Sequence, residues 1–315
     1  MPIRSLAVLA NPLARKGTGL AIAADVERLL RARGIQVQVL AGSDLADAQR
    51  LADEAVADDT VDALVAVGGD GTIRLALEAA AGSSTPVGVI PAGTGNDLAR
   101  TLGIPHDDLA GAVGVIVDGE ARALDLGRVR LGGVDEASGR PAGSGETALF
   151  VTVAATGFDA DVTARANRMS WPRGKARYLA AAVAEIANLT SRHFTVVVDD
   201  ETVADGDVIF TAIGNTRSYG GGMLITPNAD VHDGLLDVTV ATKEPGVGRS
   251  TLLRLLPSVF SGKHVEHHLV RTARGKTVTV SSDPPALVSV DGDLIGRLPA
   301  TFDTLPGAAH VIMPR

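Results

Sequence analysis

Two glycine-rich segments that each carry an Asp and a Thr have the residue types for phosphate chemistry. The first is Gly68-Gly69-Asp70-Gly71-Thr72, and the second is Gly93-Thr94-Gly95-Asn96-Asp97. Each follows an apolar run and precedes a helix-like stretch, and a helix that begins at a glycine turn presents free backbone N–H groups to an anion. An Asp beside such a turn would repel phosphate unless a divalent cation lies between them. The two segments therefore predict a nucleotide–metal site.

A loop near the N-terminus has a related composition. Its candidate phosphate-binding residues are Asn11, Pro12, Gly17 and Gly19, and the basic residues Arg15 and Lys16 lie between them. The glycines could let the backbone approach a phosphate. An ordinary strand-to-helix loop with Thr18 as the N-cap would have the same residues, so both interpretations stay open for this loop alone.

Alternating strand and helix patterns position these three loops. Strands are predicted at 6–10, 35–40, 62–67 and 87–90, and helices at 18–33, 44–57, 72–81, 96–102 and 107–117. Short connections between such elements predict a parallel sheet covered by helices, whose ligands bind at the carboxyl ends of the strands. Because the three loops follow Ala10, Val67 and Ile90, we expect them to converge at one edge of the sheet.

The pattern changes near Ala121, after which β-like runs dominate. Val, Thr and Ile enrichment between Gly and Asp turns predicts an antiparallel sandwich or barrel. The predicted strands are 123–131, 148–154, 194–198, 207–213, 236–242, 277–281, 286–290 and 309–313, and two helices are predicted at 175–188 and 249–260. Residues 132–147 are rich in Gly, Ser, Ala and Pro and are interpreted as a flexible hairpin tip or insertion. We therefore predict an α/β domain over 1–122 and a β-rich domain over 123–315.

Bulk composition excludes several classes of protein. The 315 residues are enough for two domains, and a formal charge of −8 argues against general nucleic-acid binding, which needs a basic face. The absence of cysteine excludes disulfides and cysteine metal sites and suits a reducing compartment. We find no run of about 18 apolar residues that would predict a membrane span. Residues 1–10 are interpreted as a strand rather than a signal peptide, so a cytoplasmic protein is expected.

The ordered set of motifs resembles the diacylglycerol kinase catalytic-domain family, which includes bacterial diacylglycerol kinases, sphingosine kinases and ceramide kinases. The resemblance covers nearly the whole chain. Beyond the three loops it continues in Thr156 to Ala160, Gly214-Asn215, Gly220 to Gly222, Pro227 to Asp230, Asp233 to Val238 and Asp291-Gly292-Asp293. It implies an α/β domain like that of NAD kinase and phosphofructokinase, followed by a β-sandwich domain that binds the acceptor. It also implies ATP and Mg²⁺ as cofactors and transfer of the γ-phosphate to a lipid hydroxyl, with diacylglycerol converted to phosphatidic acid.

The resemblance further implies roles for single residues. The nucleotide contacts would be those of the three loops, with Asp70 in the metal and water network and Asp97 in the acidic cluster that orients the acceptor hydroxyl. The metal segment would be Asp230, Asp233 and Leu235, Asp233 contributing a carboxylate and the other two backbone carbonyls. Asp293 stands where the family usually has a Glu that acts as the base. A closer backbone, a relaying water or Asp70 as the base would accommodate this shorter side chain.

Two departures from the family pattern keep other functions open. Leu75 stands where the family often has a Glu that contacts the nucleotide, and Asp293 is one methylene shorter than the usual Glu. A lipid- or nucleotide-binding protein without catalysis is therefore one alternative. The other is an NAD kinase, which shares the first glycine turn but phosphorylates a soluble nucleotide.

A basic segment supplies a candidate membrane contact. Its residues are Arg165, Arg168, Trp171, Arg173, Lys175 and Arg177, with no acid between Thr163 and Tyr178. Basic side chains beside an interfacial Trp could dock on anionic lipid, although a solvated face has the same composition. The expected partners are a lipid substrate at a membrane surface and no nucleic acid, and a homodimer stays open. His264, His267 and His268 are interpreted as scattered surface histidines rather than as a metal site.

Overall fold

A computed structural model describes residues 3–11, 19–132, 134–135, 140–141, 146–172, 175–187, 191–244 and 249–315. Pro12, Gly17 and Arg173 lie outside these residues, as does most of the predicted insertion at 132–147. The chain divides into two compact units, the first formed by Met1–Asp125 with Pro306–Arg315 and the second by Leu126–Leu305.

The first unit contains a parallel sheet. Its strands are β1 (Ser5–Ala10), β2 (Gln36–Ala41), β3 (Ala63–Gly68) and β4 (Val87–Pro91), in the order β2-β1-β3-β4. All residues of β3 and β4 are buried, which explains their unbroken apolar sequence. Five helices connect or follow these strands: α1 (Gly19–Arg31), α2 (Leu45–Ala57), α3 (Asp70–Ala80), α4 (Asp97–Thr101) and α5 (Leu109–Asp118).

The second unit is built on antiparallel strands. They are β5 (Glu120–Leu131), β8 (Thr147–Phe150), β9 (Val153–Gly157), β10 (Arg192–Val198), β11 (Glu201–Gly214), β12 (Leu236–Thr242), β13 (Val270–Gly275), β14 (Thr277–Asp283), β15 (Leu287–Val290), β16 (Asp293–Arg297) and β17 (Ala300–Met313), with the short pair β6 (Val134–Asp135) and β7 (Arg140–Pro141). The path β16-β15-β9-β11-β10-β14-β17 forms the main sheet, and β12 pairs with β11 and β13. The largest buried side chains include Phe150, Phe194 and Phe302. Its helices are α6 (Phe158–Arg168), α7 (Lys175–Ala187) and α8 (Arg249–Val259), followed by a 3₁₀ turn at Lys263–Glu266.

The predicted fold class, a parallel α/β domain followed by a β-sandwich domain, is confirmed. The division at 1–122 and 123–315 differs from the structure at the C-terminus, because residues 306–315 belong to the first unit. There Val311 of β17 pairs in parallel with Val87, and the Asp125 carboxylate accepts the Gly307 N–H at 2.7 Å. Strand pairing of this kind depends on residues far apart in the chain, so the local pattern did not indicate it.

Several elements were missed or shortened by the sequence patterns. Helix α6 was not predicted, because its sequence has little apolar content and follows a strand directly at Gly157, which has a φ of 73°. Strands β13 and β16 were also missed, since exposed and charged residues interrupt both. Strand β17 begins at Ala300 rather than at 309.

Candidate active site

The two glycine turns of the first unit pack backbone against backbone. A Cβ atom placed on Gly93 would lie 2.5 Å from the Cα of Gly69, and one placed on Gly68 would lie 2.3 Å from Thr72 Oγ1. Neither distance leaves room for a side chain, so the close approach requires glycine at these positions. The turns lie after β3 and β4, at the carboxyl edge of the parallel sheet.

Asp70 connects these turns through its carboxylate. Its Oδ2 accepts the backbone N–H of Asn96 and its Oδ1 accepts that of Asp97, each at 3.0 Å. Asn96 has a left-handed φ of 54°, and its side chain accepts from Gly93 N at 2.9 Å and donates to Gly93 O at 3.2 Å. Hydrogen bonds to a charged carboxylate are about twice as strong as neutral ones, so Asp70 fixes the shape of the second turn.

Asn11, the residue that follows β1, reaches the first glycine turn. The Asn11 side-chain amide donates to Thr72 Oγ1 at 3.5 Å, and the Asn11 N–H donates to Val67 O at 3.4 Å. Gly19 is the buried first residue of α1. Asn11 after β1 and the glycine turns after β3 and β4 thus lie together in the first unit, as the parallel topology requires. Gly71 lies in the first turn of α3, and Thr94 and Gly95 lie in the loop that precedes α4.

The acidic loop before β12 holds the residues predicted to bind metal. Asp230 Oδ1 accepts the His232 N–H at 3.1 Å, and Asp233 Oδ1 accepts the Leu235 N–H at 2.9 Å. The guanidinium of Arg274 on β13 pairs with Asp233 and, through Nε at 3.0 Å, with Asp237. Burial raises the pKa of Asp237, and the charge of Arg274 opposes that shift.

These residue types suit Mg²⁺, which prefers carboxylate and carbonyl oxygens. Their arrangement does not fit a resident ion, however, because the Arg274 guanidinium already pairs with Asp233 Oδ2 and the Leu235 N–H with Asp233 Oδ1. Within the described residues, no group of three or more His, Cys, Asp or Glu side chains could hold a metal ion. A cation that bound Asp233 here would have to share its carboxylate with the positively charged Arg274 or displace it.

Asp291-Gly292-Asp293 forms the hairpin between β15 and β16. Asp291 and Gly292 have φ values of 49° and 87°, the two left-handed residues of a type I′ turn. The Asp291 carboxylate accepts the N–H groups of Val151 and Thr152 at 2.9 and 2.8 Å, and also the Thr152 hydroxyl. Asp291 therefore anchors the hairpin, while Asp293 begins β16 with an exposed side chain.

Tyr178 on α7 lies beside this hairpin, a contact that the sequence did not indicate. Its hydroxyl lies 3.9 Å from the position that a Cβ on Gly292 would take. Burial raises the pKa of Tyr178, the nearby Arg177 lowers it, and the charge of Asp293 raises it further. An aromatic residue in a helical pattern usually indicates a core position, so nothing in the sequence indicated that Tyr178 lies close to this hairpin.

An apolar pocket of about 70 Å³, partly open to solvent, lies within the second unit. Its lining includes Phe158 at the start of α6, Phe210 on β11 and Val259 on α8. Next to Phe158, the carboxylate of Asp159 accepts the Tyr219 hydroxyl at 2.7 Å, and burial raises the pKa of Asp159 to about 6, with the Tyr219 hydrogen bond opposing. Because Tyr219 packs in one cluster with Phe210 and Val259, this polar pair adjoins the pocket.

His264 lines the same pocket, and its position shows that one prediction was wrong. It was interpreted as a surface histidine, but it is only 3% exposed. It lies in the 3₁₀ turn after α8, which packs against α8 and β13, and its Nε2 lies 3.1 Å from the Ile225 carbonyl oxygen. The short polar sequence around His264 gave no signal of this burial, because the covering side chains come from other elements.

In the basic segment around α6 and α7, several cationic side chains already interact with other groups of the protein. Arg165 forms an ion pair with Glu185, and Arg168 and Arg177 donate to the carbonyls of Ala164 and Pro172. Trp171 is 80% exposed. Nothing is described for Arg173 or for the side chain of Lys175. Among the described helices, none is long and apolar enough to cross a membrane.

Known families and structures match both units. The diacylglycerol kinase catalytic-domain model matches residues 5–129, and the model of the YegS C-terminal NAD kinase β-sandwich-like domain matches residues 152–313. A diacylglycerol kinase of Mycobacterium tuberculosis is 43% identical over 99% of this chain and 96% of its own length.

Solved structures with low sequence identity share the fold. A diacylglycerol kinase of Bacillus anthracis has a TM-score of 0.70 at 18% identity, covering 98% of this chain and 96% of its own. An NAD kinase of Archaeoglobus fulgidus in complex with ATP has a TM-score of 0.50 at 13% identity, covering 99% and 94%. At these identities the likeness concerns the fold alone.

Proposed function

This chain belongs to the diacylglycerol kinase catalytic-domain family of lipid kinases, and from that premise we propose that it transfers the γ-phosphate of ATP to the hydroxyl of diacylglycerol. The observation that carries the proposal is the interlocked pair of glycine turns that Asp70 holds at the carboxyl edge of the parallel sheet. Such an edge, with backbone N–H groups at the start of α3, suits a nucleotide triphosphate.

The proposed nucleotide site uses the three loops of the first unit. Asn11, Pro12, Gly17 and Gly19 would line one side of the phosphates, and the turns from Gly68 to Thr72 and from Gly93 to Asn96 would supply backbone N–H groups. Mg²⁺ would enter with ATP and neutralise phosphate charge, which is its general role in phosphoryl transfer. The resemblance assigns Asp230, Asp233 and Leu235 to metal binding, but the pairing of Arg274 with Asp233 does not fit a resident ion there, and the proposed transfer uses no ion bound to these residues.

In the proposed transfer step the acceptor hydroxyl oxygen attacks the γ-phosphorus. The new P–O bond forms as the bond to the β–γ bridging oxygen breaks, ADP leaves, and the hydroxyl proton passes to the carboxylate of Asp293. Asp97 would help to orient the hydroxyl. Positioning and charge stabilisation supply most of the rate in such reactions, so the loops matter as much as the base.

The apolar pocket supports a lipid acceptor. Pockets that bind drug-sized ligands are mostly apolar, and the pocket beside Phe158 shares this property, but its volume of about 70 Å³ is below the about 300–1,000 Å³ typical of them, so only part of a lipid chain would fit in it. The adjoining Asp159–Tyr219 pair would meet a polar headgroup. An amphiphile therefore suits the second unit better than NAD, which is polar along its whole length.

A phosphorylation assay tests the proposed function. The protein is incubated with labelled ATP and, in separate reactions, diacylglycerol micelles, a sphingoid base or NAD, with Mg²⁺ and without it. We expect label in phosphatidic acid, and only when Mg²⁺ is present. Transfer to NAD would establish the NAD kinase alternative, and nucleotide binding without transfer to any acceptor would establish a non-catalytic protein.

We also propose that the segment around Trp171 brings the enzyme to an anionic membrane. Trp171 is 80% exposed, and Leu179 and Val183, one helical turn apart on α7, are at least half exposed. Arg168 and Arg177 lie on the flanking helices. Exposed apolar side chains beside basic ones match the interface of an anionic bilayer, where each basic residue contributes about 1 kcal/mol.

Trp171→Ala is expected to weaken binding to phosphatidylglycerol-containing vesicles about tenfold, because burying an aromatic side chain contributes about 1.5–3 kcal/mol. Vesicle co-sedimentation measures the change, and activity on a short-chain soluble acceptor should stay at the wild-type level. Leu45→Ala removes a comparably exposed apolar side chain from α2 and serves as the control. Equal vesicle binding by wild type and Trp171→Ala would contradict the proposal.

A further inference from the structure

A positively charged side chain from the neighbouring strand lies against the acidic loop before β12. Asp237 on β12 and Arg274 on β13 are direct partners in the antiparallel register. The Arg274 Nε donates to Asp237 Oδ2 at 3.0 Å, and a terminal guanidinium nitrogen donates to Asp233 Oδ2. Because the sheet register fixes Arg274 opposite Asp237, one planar guanidinium orients two carboxylates at the same time.

The carboxylates of the loop also bond to their own backbone. Asp230 Oδ1 accepts the His232 N–H at 3.1 Å, and Asp233 Oδ1 accepts the Leu235 N–H at 2.9 Å. Bonds from an Asp side chain to the N–H two residues further on are a common way of holding a turn. Each oxygen of Asp233 therefore has a donor, one from the loop itself and one from β13. These bonds determine the conformation of the loop without a divalent ion.

The charge balance of the loop depends on Arg274. Asp237 is only 7% exposed. Burial raises the pKa of Asp237, the charge of Arg274 lowers it, and the charges of Asp233 and Asp230 raise it further. Arg274 thus favours the ionised form of Asp237 against both burial and two like charges. Removing the guanidinium would leave a buried carboxylate without its partner, which is strongly unfavourable.

We propose that Arg274 is the structural counter-ion of this loop, and that the loop keeps its fold without a bound divalent cation. The family resemblance assigns a metal to Asp230, Asp233 and Leu235, and this chain differs from that expectation because a guanidinium takes the place of the ion. The second unit then has no divalent-ion requirement of its own. This inference concerns stability and goes beyond the proposed function, so its tests need neither ATP nor an acceptor.

Melting temperatures test the role of Arg274. Arg274→Met is expected to lower the melting temperature by at least about 4 °C, because Asp237 stays buried without its partner. Arg274→Lys should fall between this variant and wild type, since an ammonium group keeps the charge but not the planar fork. Arg271→Met is the matched control on the same strand, because Arg271 donates to the Val203 carbonyl at 3.0 Å and not to a carboxylate. It should lower the melting temperature by no more than about 2 °C, and equal melting of Arg274→Met and Arg271→Met would contradict the role of Arg274.

Wild-type protein tests whether the loop is independent of metal. Its melting temperatures in EDTA and in excess Mg²⁺, at equal ionic strength so that screening is the same, should agree within about 1 °C. Mn²⁺ is a paramagnetic probe of the same site, and wild type and Asp233→Asn should bind the same number of Mn²⁺ ions in the absence of nucleotide.

A stabilisation by Mg²⁺, or a bound Mn²⁺ ion, that Asp233→Asn abolishes would overturn the inference. An effect that Asp233→Asn retains would place the ion elsewhere in the protein and leave the inference standing. Failure to phosphorylate any lipid would remove the proposed function but would change none of these results, because no measurement here depends on phosphate transfer.

Discussion

Asp70→Ala is expected to lower kcat/KM for ATP about a thousandfold and to weaken MgATP binding strongly. The Asp70 carboxylate accepts two backbone N–H groups, from Asn96 and Asp97, and so determines how the second glycine turn meets the first. A hydrogen bond to a charged group contributes about 1.5–3 kcal/mol, and two of them correspond to about three orders of magnitude. Without them the turn would no longer hold its backbone at the position that the phosphates need.

Calorimetric titration with MgATP and steady-state kinetics measure this change. Asp70→Asn should fall between wild type and Asp70→Ala, because its amide keeps one acceptor oxygen but directs an NH₂ group at the second backbone N–H. Asp59→Ala, at an exposed position after α2, is the control and should behave as wild type. MgATP affinity within threefold of wild type in Asp70→Ala would contradict the role of Asp70 in the nucleotide site.

The local patterns predicted the first unit well for a physical reason. Strands β3 and β4 are buried throughout, so their sequences are apolar without interruption, and glycine turns with capping residues mark where each helix begins. Asp44, for example, caps α2 by accepting the Asp47 N–H. Where the residues of a short segment determine its conformation, the sequence alone is sufficient to predict that conformation.

Contacts between distant segments could not be predicted in this way. The bond from Asp70 to Asn96 spans 26 residues, and the Arg274–Asp233 ion pair spans 41. His264 was misread as exposed because its burial depends on α8 and β13, which pack against its 3₁₀ turn. The same limit applies to Asp291. Its sequence context indicates a turn residue, but its carboxylate accepts the N–H groups of Val151 and Thr152, which are 140 and 139 residues away in the chain.

The Asp291 anchor gives a reason to expect Asp293 to tolerate substitution structurally. The type I′ turn and the bonds from Asp291 to Val151 and Thr152 hold the hairpin, and the Asp293 side chain is exposed at the first position of β16. We therefore expect a change at Asp293 to leave the fold intact. This separation makes the proposed base testable with few complications.

Asp293→Asn is expected to lower kcat about a thousandfold, because general-base catalysis contributes about 10²–10⁴ and an amide cannot take the proton. MgATP affinity and melting temperature should match wild type. Asp293→Glu restores the residue that the family usually has and should retain at least about a tenth of wild-type kcat, since the carboxylate is kept and only its reach changes. If Asp293→Asn keeps kcat within tenfold of wild type, the proton goes elsewhere, and Asp70 becomes the residue to test as the base. If both variants are equally inactive, the length of the Asp293 side chain matters as well as its charge. The backbone at Asp293 would then lie closer to the acceptor than it does in relatives that have a Glu at this position.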